Sequence, residues 1–344
     1  MTTILSILAL LVCFYLLARV VSLFFISSLD KISKDLNLSS DAAGATLMAV
    51  GSSAPELFVA LFAVLKPGDH QVIGIGSIVG SAIFNLLVIV GAAALVRKAT
   101  LIKQPIIRDL IFYSLSVALL IFFISDGKLT LTETSIFLGV YAIYVIAVVN
   151  WRKWFPYEDR VAEIEEEESN CNNKESLKFF DKILCFIFPK AENYYLRFFF
   201  SVAFIAAVSW VLVELAVLIS ADLGIPEAII ALTVLAIGTS VPDLISSIIV
   251  ARQGRGEMAV SNAVGSNIFD ILVGLGLPFL IVLLISGGSI NAGGDLMSAT
   301  IILSISVVLL VLLLLFSKWK IGKFTGFILI GTYIFYLIYE ILFH

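Results

Sequence analysis

The chain contains the same message twice. TLMAVGSSAPEL at residues 46–57 returns as TVLAIGTSVPDL at 233–244, and GSIVGSAIFNLLVIVG at 76–91 returns as SNAVGSNIFDILVGLG at 261–276, the two offsets being 187 and 185 residues. Each copy lies in a stretch long and apolar enough to cross a bilayer, yet carries a Gly, hydroxyl residues, a Pro and an acid at its centre. Irregular backbone and a carboxylate at membrane depth are tolerated only where they are buried in protein or line a path for a polar cargo. The fold must therefore be one in which two such interrupted helices meet.

Composition supports a membrane setting. Of the 344 residues, 60% are hydrophobic and only 14% charged, and the mean hydropathy is +1.08, well beyond a soluble chain of this size. Apolar segments of about 20 residues fall near 4–26, 41–65, 71–96, 106–125, 130–151, 196–220, 224–251, 257–285, 297–316 and 322–343. The first has no basic stretch ahead of it and exceeds a signal-peptide core, so it reads as a retained helix. Loops after the odd-numbered segments hold nineteen Lys and Arg, from Lys31 and Lys34 to Lys318, Lys320 and Lys323, whereas those after the even-numbered segments hold only Lys66 and Lys128. Basic residues remain on the cytoplasmic side, which puts both termini outside.

Ten spans and one repeat per half make two five-helix units, 1–151 and 196–344, with their repeat motifs at 44–91 and 231–278 and a cytoplasmic loop at 152–195 between them. Because five is odd, the second unit is inserted upside down relative to the first. Inverted repeats with interrupted helices point to a midplane binding site in a gradient-driven transporter. The expected fold is an all-α polytopic membrane protein of ten transmembrane helices in two inverted five-helix repeats, with broken helices at the midplane. Helix packing alone accounts for Gly76 and Gly80, a small-xxx-small pair, but not for Glu56 and Asp243.

Other features narrow the function. No Walker-type glycine loop occurs, and the longest stretch outside the membrane is about 40 residues, too short for a nucleotide-hydrolysing domain. No enzyme activity, cofactor, nucleic acid or protein partner is expected; the partners are ions and the lipid bilayer. Cys13, Cys171 and Cys185 are scattered, so no disulfide framework is expected, and His70 and His344 form no cluster. The acidic run Glu165–Glu168, with Glu158, Asp159 and Glu163, reads as a solvated linker rather than a regulatory calcium site, and the Phe-rich piece 176–188 as interfacial. Asp109, Glu133 and Glu227 are expected at helix ends near water and Glu214 near the outer end of the sixth segment, all in interfacial or capping roles, with facing the ion path as the alternative for Glu214.

The motif chemistry points to a hard cation. Pro55 and Pro242 suit the first position of a new half-helix, with Ser53 and Ser240 upstream as caps. Glu56 and Asp243 then fall in a first turn, where the helix dipole favours the ionised acid. The half-helix before each break, which contains Ala49 or Ala236, is expected to end at Gly51 or Gly238 with carbonyls to spare, and Ser52, Ser53, Thr239 and Ser240 add hydroxyl oxygens. Such an all-oxygen set suits calcium, with its six to eight ligands, better than magnesium, and lacks the Cys or His of a zinc or copper site. Asn85 and Asp270 each follow a Gly-Ser pair, with Ser81 and Ser266 four residues earlier on the same helical face. Glu56 and Asp243 balance one divalent ion or sodium ions at shared ligands; Asp270 either holds a further monovalent cation or stays protonated.

These residues resemble the cation/calcium exchangers, whose two alpha-repeats carry Gly-Ser/Thr-Ser-x-Pro-Glu/Asp motifs. Within that family, GATLMAVGSSAPELF in the first repeat and VARQGRGEMAVSNAVGSNIFDILVGLGLP, Val250 to Pro278, most resemble the potassium-dependent sodium/calcium exchangers. The resemblance implies electrogenic antiport of calcium against sodium by alternating access, with Glu56 and Asp243 as central calcium ligands and Ser52, Ser53, Thr239, Ser240, Ser81, Asn85, Ser266 and Asp270 at the remaining ion-site positions; Ala49 and Ala236 complete the candidate set. In the potassium-dependent branch an aspartate at the Asp270 position is linked to potassium, carried together with calcium. The large regulatory loop of animal exchangers is missing, which suits a prokaryotic plasma-membrane protein. Calcium/proton exchange, potassium-independent sodium/calcium exchange and a cation channel are the alternatives.

Overall fold

The computed structural model describes residues 2–35, 49–155, 179–252, 254, 256–292 and 296–343. Among them, eight helices are long and apolar enough to cross a membrane: Thr3–Ser28, Gln71–Val96, Lys103–Ile124, Leu131–Trp151, Tyr194–Leu223, Gly256–Ser286, Met297–Phe316 and Lys323–Leu342. A ninth candidate is broken, its halves Glu227–Thr239 and Val241–Arg252 meeting at 42°. Of the expected second span, 41–65, the described part is Ala49–Ser52 followed by Ala54–Leu65. The chain is thus a multi-pass membrane protein whose described spans fall where the apolar segments were expected.

Two short strand pairs tie the repeats together at opposite ends. Strand β1 (Ala99–Thr100) and strand β2 (Lys128–Thr130) come from the first half, β3 (Ser289–Asn291) and β4 (Lys320–Ile321) from the second. β1 pairs antiparallel with β4, and β2 with β3. β1 and β4 lie in loops that follow odd-numbered segments, β2 and β3 in loops that follow even-numbered ones. Lys31 Nζ donating to the Ala191 carbonyl (3.2 Å) and Arg97 Nη1 to that of Arg252 (3.3 Å) likewise join odd loops. Lys66–Glu214 (2.5 Å) and His70–Glu227 (2.9 Å) join residues at the even-loop ends. Each contact links loops that the charge count assigns to one face.

The centre is dense because small residues let main chains approach. A Cβ on Gly76 would lie 2.9 Å from the Ala231 methyl, and one on Gly80 2.7 Å from that of Ala236. The packing reading of these glycines therefore holds, and it presses the Gln71–Phe84 helix of the first repeat onto the broken helix of the second. Phe14 of the first helix fills the space where a Gly238 side chain would stand.

Two expectations away from the breaks are revised. Asp109 is not at a watery helix end: it is 1% exposed and accepts from Arg108 Nε (2.8 Å), Tyr144 OH (3.2 Å) and Ser261 Oγ (3.1 Å). A carboxylate enclosed this far from water needs such partners. Cys185 is disulfide-bonded, whereas Cys13 is a free buried thiol and Cys171 lies outside the described residues. The expected interfacial segment forms a helix, Phe179–Ile187, pinned by a bidentate pair from Arg19 to the buried Asp181 (2.7 and 2.9 Å). Its Leu184 is buried and its Phe186 is 92% exposed. Glu133 does act as a cap, completing a capping box with Thr130. The acidic run lies outside the described residues.

Candidate cation site at the two helix breaks

Each break is a single residue with near-zero ψ. Ser53 (φ −90°, ψ 6°) and Ser240 (φ −85°, ψ 0°) separate the half-helices. The preceding half-helices end at Ser52 and Thr239, one residue beyond the expected Gly51 and Gly238. Pro55 and Pro242 stand second in the new helices Ala54–Leu65 and Val241–Arg252, not first as expected. A missing N–H is equally harmless there, since the first four amides of a helix have no internal acceptor. Ser53 caps through its main chain alone, its carbonyl accepting from Leu57 N (3.1 Å) while its side chain makes no cap bond.

Glu56 and Asp243 occupy the first turns of these helices, 0% and 1% exposed. The hydroxyls beside each acid come largely from the other repeat. Ser240 Oγ donates to Glu56 Oε1 (3.4 Å) and to Ser81 Oγ (3.1 Å), and Thr239 also reaches Glu56. In the opposite direction, Ser52 reaches Asp243 and shares a 3.2 Å hydrogen bond with Ser266, which reaches Asp243 as well. Asp270 accepts from Ser81 Oγ (3.5 Å) and faces Ser53, within electrostatic range of both other acids. Asn85 and Asp270, repeat counterparts, each open a π-helical turn, Asn85–Ile89 and Asp270–Leu275. Such a turn widens the helix and re-aims the residue that begins it, a device common at functional sites.

The structure thus brings Ser52, Ser53, Glu56, Ser81, Thr239, Ser240, Asp243, Ser266 and Asp270 into one hydroxyl-and-carboxylate cluster. Asn85 sits at its edge, its Nδ2 donating to Asn267 Oδ1 (3.0 Å). Ala49 and Ala236 take part through the main chain: the Ala49 carbonyl accepts from Ser53 N (3.0 Å) and Ser52 Oγ (3.3 Å), and that of Ala236 from Ser240 N (3.4 Å). Both are therefore already engaged rather than free. Among the described residues no three His, Cys, Asp or Glu side chains gather as an isolated metal cluster. Any cation held here must draw on hydroxyl and amide oxygens together with the acids.

The donor set suits such an ion. Glu56 Oε2, Asp243 Oδ2, Asp270 Oδ1, Asn85 Oδ1 and Ser53 Oγ are all buried without a hydrogen-bond partner. Unsatisfied buried oxygens are costly and rare, and five in and around one cluster, each with a lone pair to offer, are complementary to a hard cation. Two residues that motif reading passed over belong to the surroundings. Asn267 donates from Nδ2 to the carbonyl of Ala82, its own repeat counterpart, and to Tyr113 OH, both at 3.0 Å. Asn262 Nδ2 donates to Asp243 Oδ1 (3.5 Å). The available signal was their mismatch with Ala82 and Ser77 in the first repeat.

Comparison with known proteins places this geometry. A family model for sodium/calcium exchanger protein matches residues 6–150 and 193–342. Sodium/potassium/calcium exchanger 5 of Homo sapiens is 32% identical over 90% of this chain and 77% of its own length. Sodium/potassium/calcium exchanger 2 of Gallus gallus is 28% identical over 98% and 77%. The solved sodium-calcium exchanger NCX_Mj superposes with a TM-score of 0.63 at 24% identity, covering 98% of both chains. The H+/Ca2+ exchanger CAX reaches 0.68 at 17% identity, over 99% of this chain and 85% of that one. At these identities the structural likeness is one of fold, while the family match spans both repeats: the chain belongs to the sodium/calcium exchanger protein family.

Proposed function

We propose that this chain is a secondary antiporter that exchanges calcium for sodium by alternating access, with potassium carried alongside calcium. The observation that carries the reading is the reciprocal reach of hydroxyls across the repeats, Ser240 to Glu56 and Ser52 to Asp243, around unpartnered carboxylate oxygens. Glu56 and Asp243 are the central calcium ligands in this reading. Ser52, Ser53, Ser81, Thr239, Ser240, Asn85 and Ser266 supply neutral oxygens, Ala49 and Ala236 main-chain support, and Asp270 the charge that balances potassium. Ions of either kind compensate the buried acids, so the filled site can reorient whereas an empty one, with uncompensated charges, is penalised. That differential is what couples the two fluxes.

The five-helix units 1–151 and 196–344 are the proposed halves of the exchanger, with 152–195 as the cytoplasmic connection; the family match leaves 151–192 uncovered, close to that interval. The basic loops face the cytoplasm, both termini lie outside, and the protein resides in a prokaryotic plasma membrane. The test is calcium uptake into vesicles containing the purified protein, driven in turn by sodium, proton and potassium gradients. Uptake driven by sodium and requiring potassium supports the reading; uptake driven by protons replaces it with calcium/proton exchange, and uptake with no counter-ion requirement replaces it with a channel.

A further inference from the structure

Beyond Asp243, toward the Arg252 end of its helix, the second repeat carries two side-chain oxygens that the site just described does not use. Ser247 lies four residues after Asp243 on the same helical face, and Asn262 four residues before Ser266 on the facing helix. Ser247 is 2% and Asn262 8% exposed, and neither Ser247 Oγ nor Asn262 Oδ1 has a hydrogen-bond partner. The Asn262 amide is turned so that Nδ2 faces Asp243 Oδ1, which leaves Oδ1 aimed away from the acid. Both side chains line a narrow crevice that leaves about 10 Å³ for the centre of a water-sized particle, with Val250 and Met258 also in its walls.

The same place in the first repeat is closed. Ala60 stands for Ser247, Ser77 for Asn262 and Gly74 for Ala259. Ala60 and Ser77 are both 0% exposed, Ser77 Oγ is satisfied by the Gly74 carbonyl (3.0 Å), and a Cβ on Gly74 would lie 3.0 Å from Ala60 Cα. One repeat therefore seals this helix pair with small residues, and the other parts it with polar ones. Two neutral, unsatisfied oxygens one turn from a carboxylate, both on side chains that line the crevice, call for a ligand that brings positive charge or hydrogens.

We propose that Ser247 Oγ and Asn262 Oδ1 form a way station for a monovalent hard cation of the sodium class, between the basic-loop face and Asp243. The assignment rests on the exchange reading above. Calcium requires six to eight oxygens with several charges among them; two dipoles and one carboxylate a turn away, around space for one small particle, suit a single monovalent ion. A site that passes ions inward must also release them, which favours few and neutral ligands.

The experiment is sodium-driven calcium flux in vesicles of one orientation, with sodium presented to either face, for the wild type, Ser247→Ala and Ser247→Thr. Losing one neutral ligand is expected to raise the sodium needed for half-maximal flux about fivefold at the basic-loop face only, with Ser247→Thr restoring it. Equal shifts at both faces, or none, overturn the proposal. Wild-type vesicles without sodium-coupled flux would refute the exchange reading, which is a separate outcome. Should Ser247→Ala not fold, Ser247→Cys labelled from the basic-loop face by an impermeant thiol reagent, against a wild-type background, decides the matter: labelling slowed by sodium but not by a large organic cation supports the way station, and labelling that sodium does not slow, or that does not occur, overturns it.

Discussion

The Ser240 hydroxyl, carried by the second repeat, donates to Glu56 Oε1, carried by the first, across 3.4 Å. The acid of one repeat thus takes a hydrogen bond from the other, so in the proposed exchanger neither repeat alone supplies the whole ligand set. This is the arrangement expected if ion occupancy controls how the two halves sit on each other.

Replacing either central acid by its amide keeps volume and removes charge. Glu56→Gln and Asp243→Asn are each expected to lower calcium flux by at least about a hundredfold, the scale of a lost charged contact, while the purified protein stays monodisperse. Flux assays on reconstituted protein check this, and full calcium flux in either variant would remove the acids from the ion site.

Asp270 supplies a carboxyl group that Asn85 lacks at the corresponding position, the basis of its proposed role with the extra monovalent cation. In Asp270→Asn, calcium uptake is expected to lose its need for potassium while remaining sodium-driven. A potassium titration at fixed sodium gradient measures this; an unchanged potassium requirement would detach Asp270 from potassium.

At Gly80, a side chain has no room, because its Cβ would stand 2.7 Å from the Ala236 methyl beside the break. Gly80→Ala is expected to cost about 1–3 kcal/mol through overpacking, seen as a lowered melting temperature in detergent. Wild-type stability would show that the Gln71–Phe84 helix does not press on the broken helix.

The pair Arg19–Asp181 holds the Phe179–Ile187 helix through two short hydrogen bonds, with Asp181 2% exposed. Arg19→Ala leaves that acid buried and unpaired, a larger penalty than removing both partners. Faster proteolysis within 179–187 is expected for Arg19→Ala, with partial recovery in Arg19→Ala/Asp181→Leu. Equal cleavage in all three proteins would mean that the pair does not anchor the helix.

Several features of this molecule were legible from spacing alone. The doubled motif, the positions of the apolar segments and the assignment of loops to two faces all follow from local pattern: helical length, residue type and where Lys and Arg are allowed to stop. Glu56 and Asp243 could be named because a buried acid beside a helix breaker is conspicuous in one dimension. Tertiary structure decided what that pattern cannot carry. Ser240 meets Glu56 from 184 residues away and Asn85 meets Asn267 from 182. The enclosure of Asp109 is invisible in the sequence because its shelter comes from Tyr144 and Ser261 on other helices. The polar crevice at Ser247 and Asn262 lies where the first repeat has the close Gly74–Ala60 contact instead. Helix period and charge act along the chain and can be read from it; hydrogen bonds and close packing between distant segments depend on which surfaces meet, and only the folded arrangement fixes that.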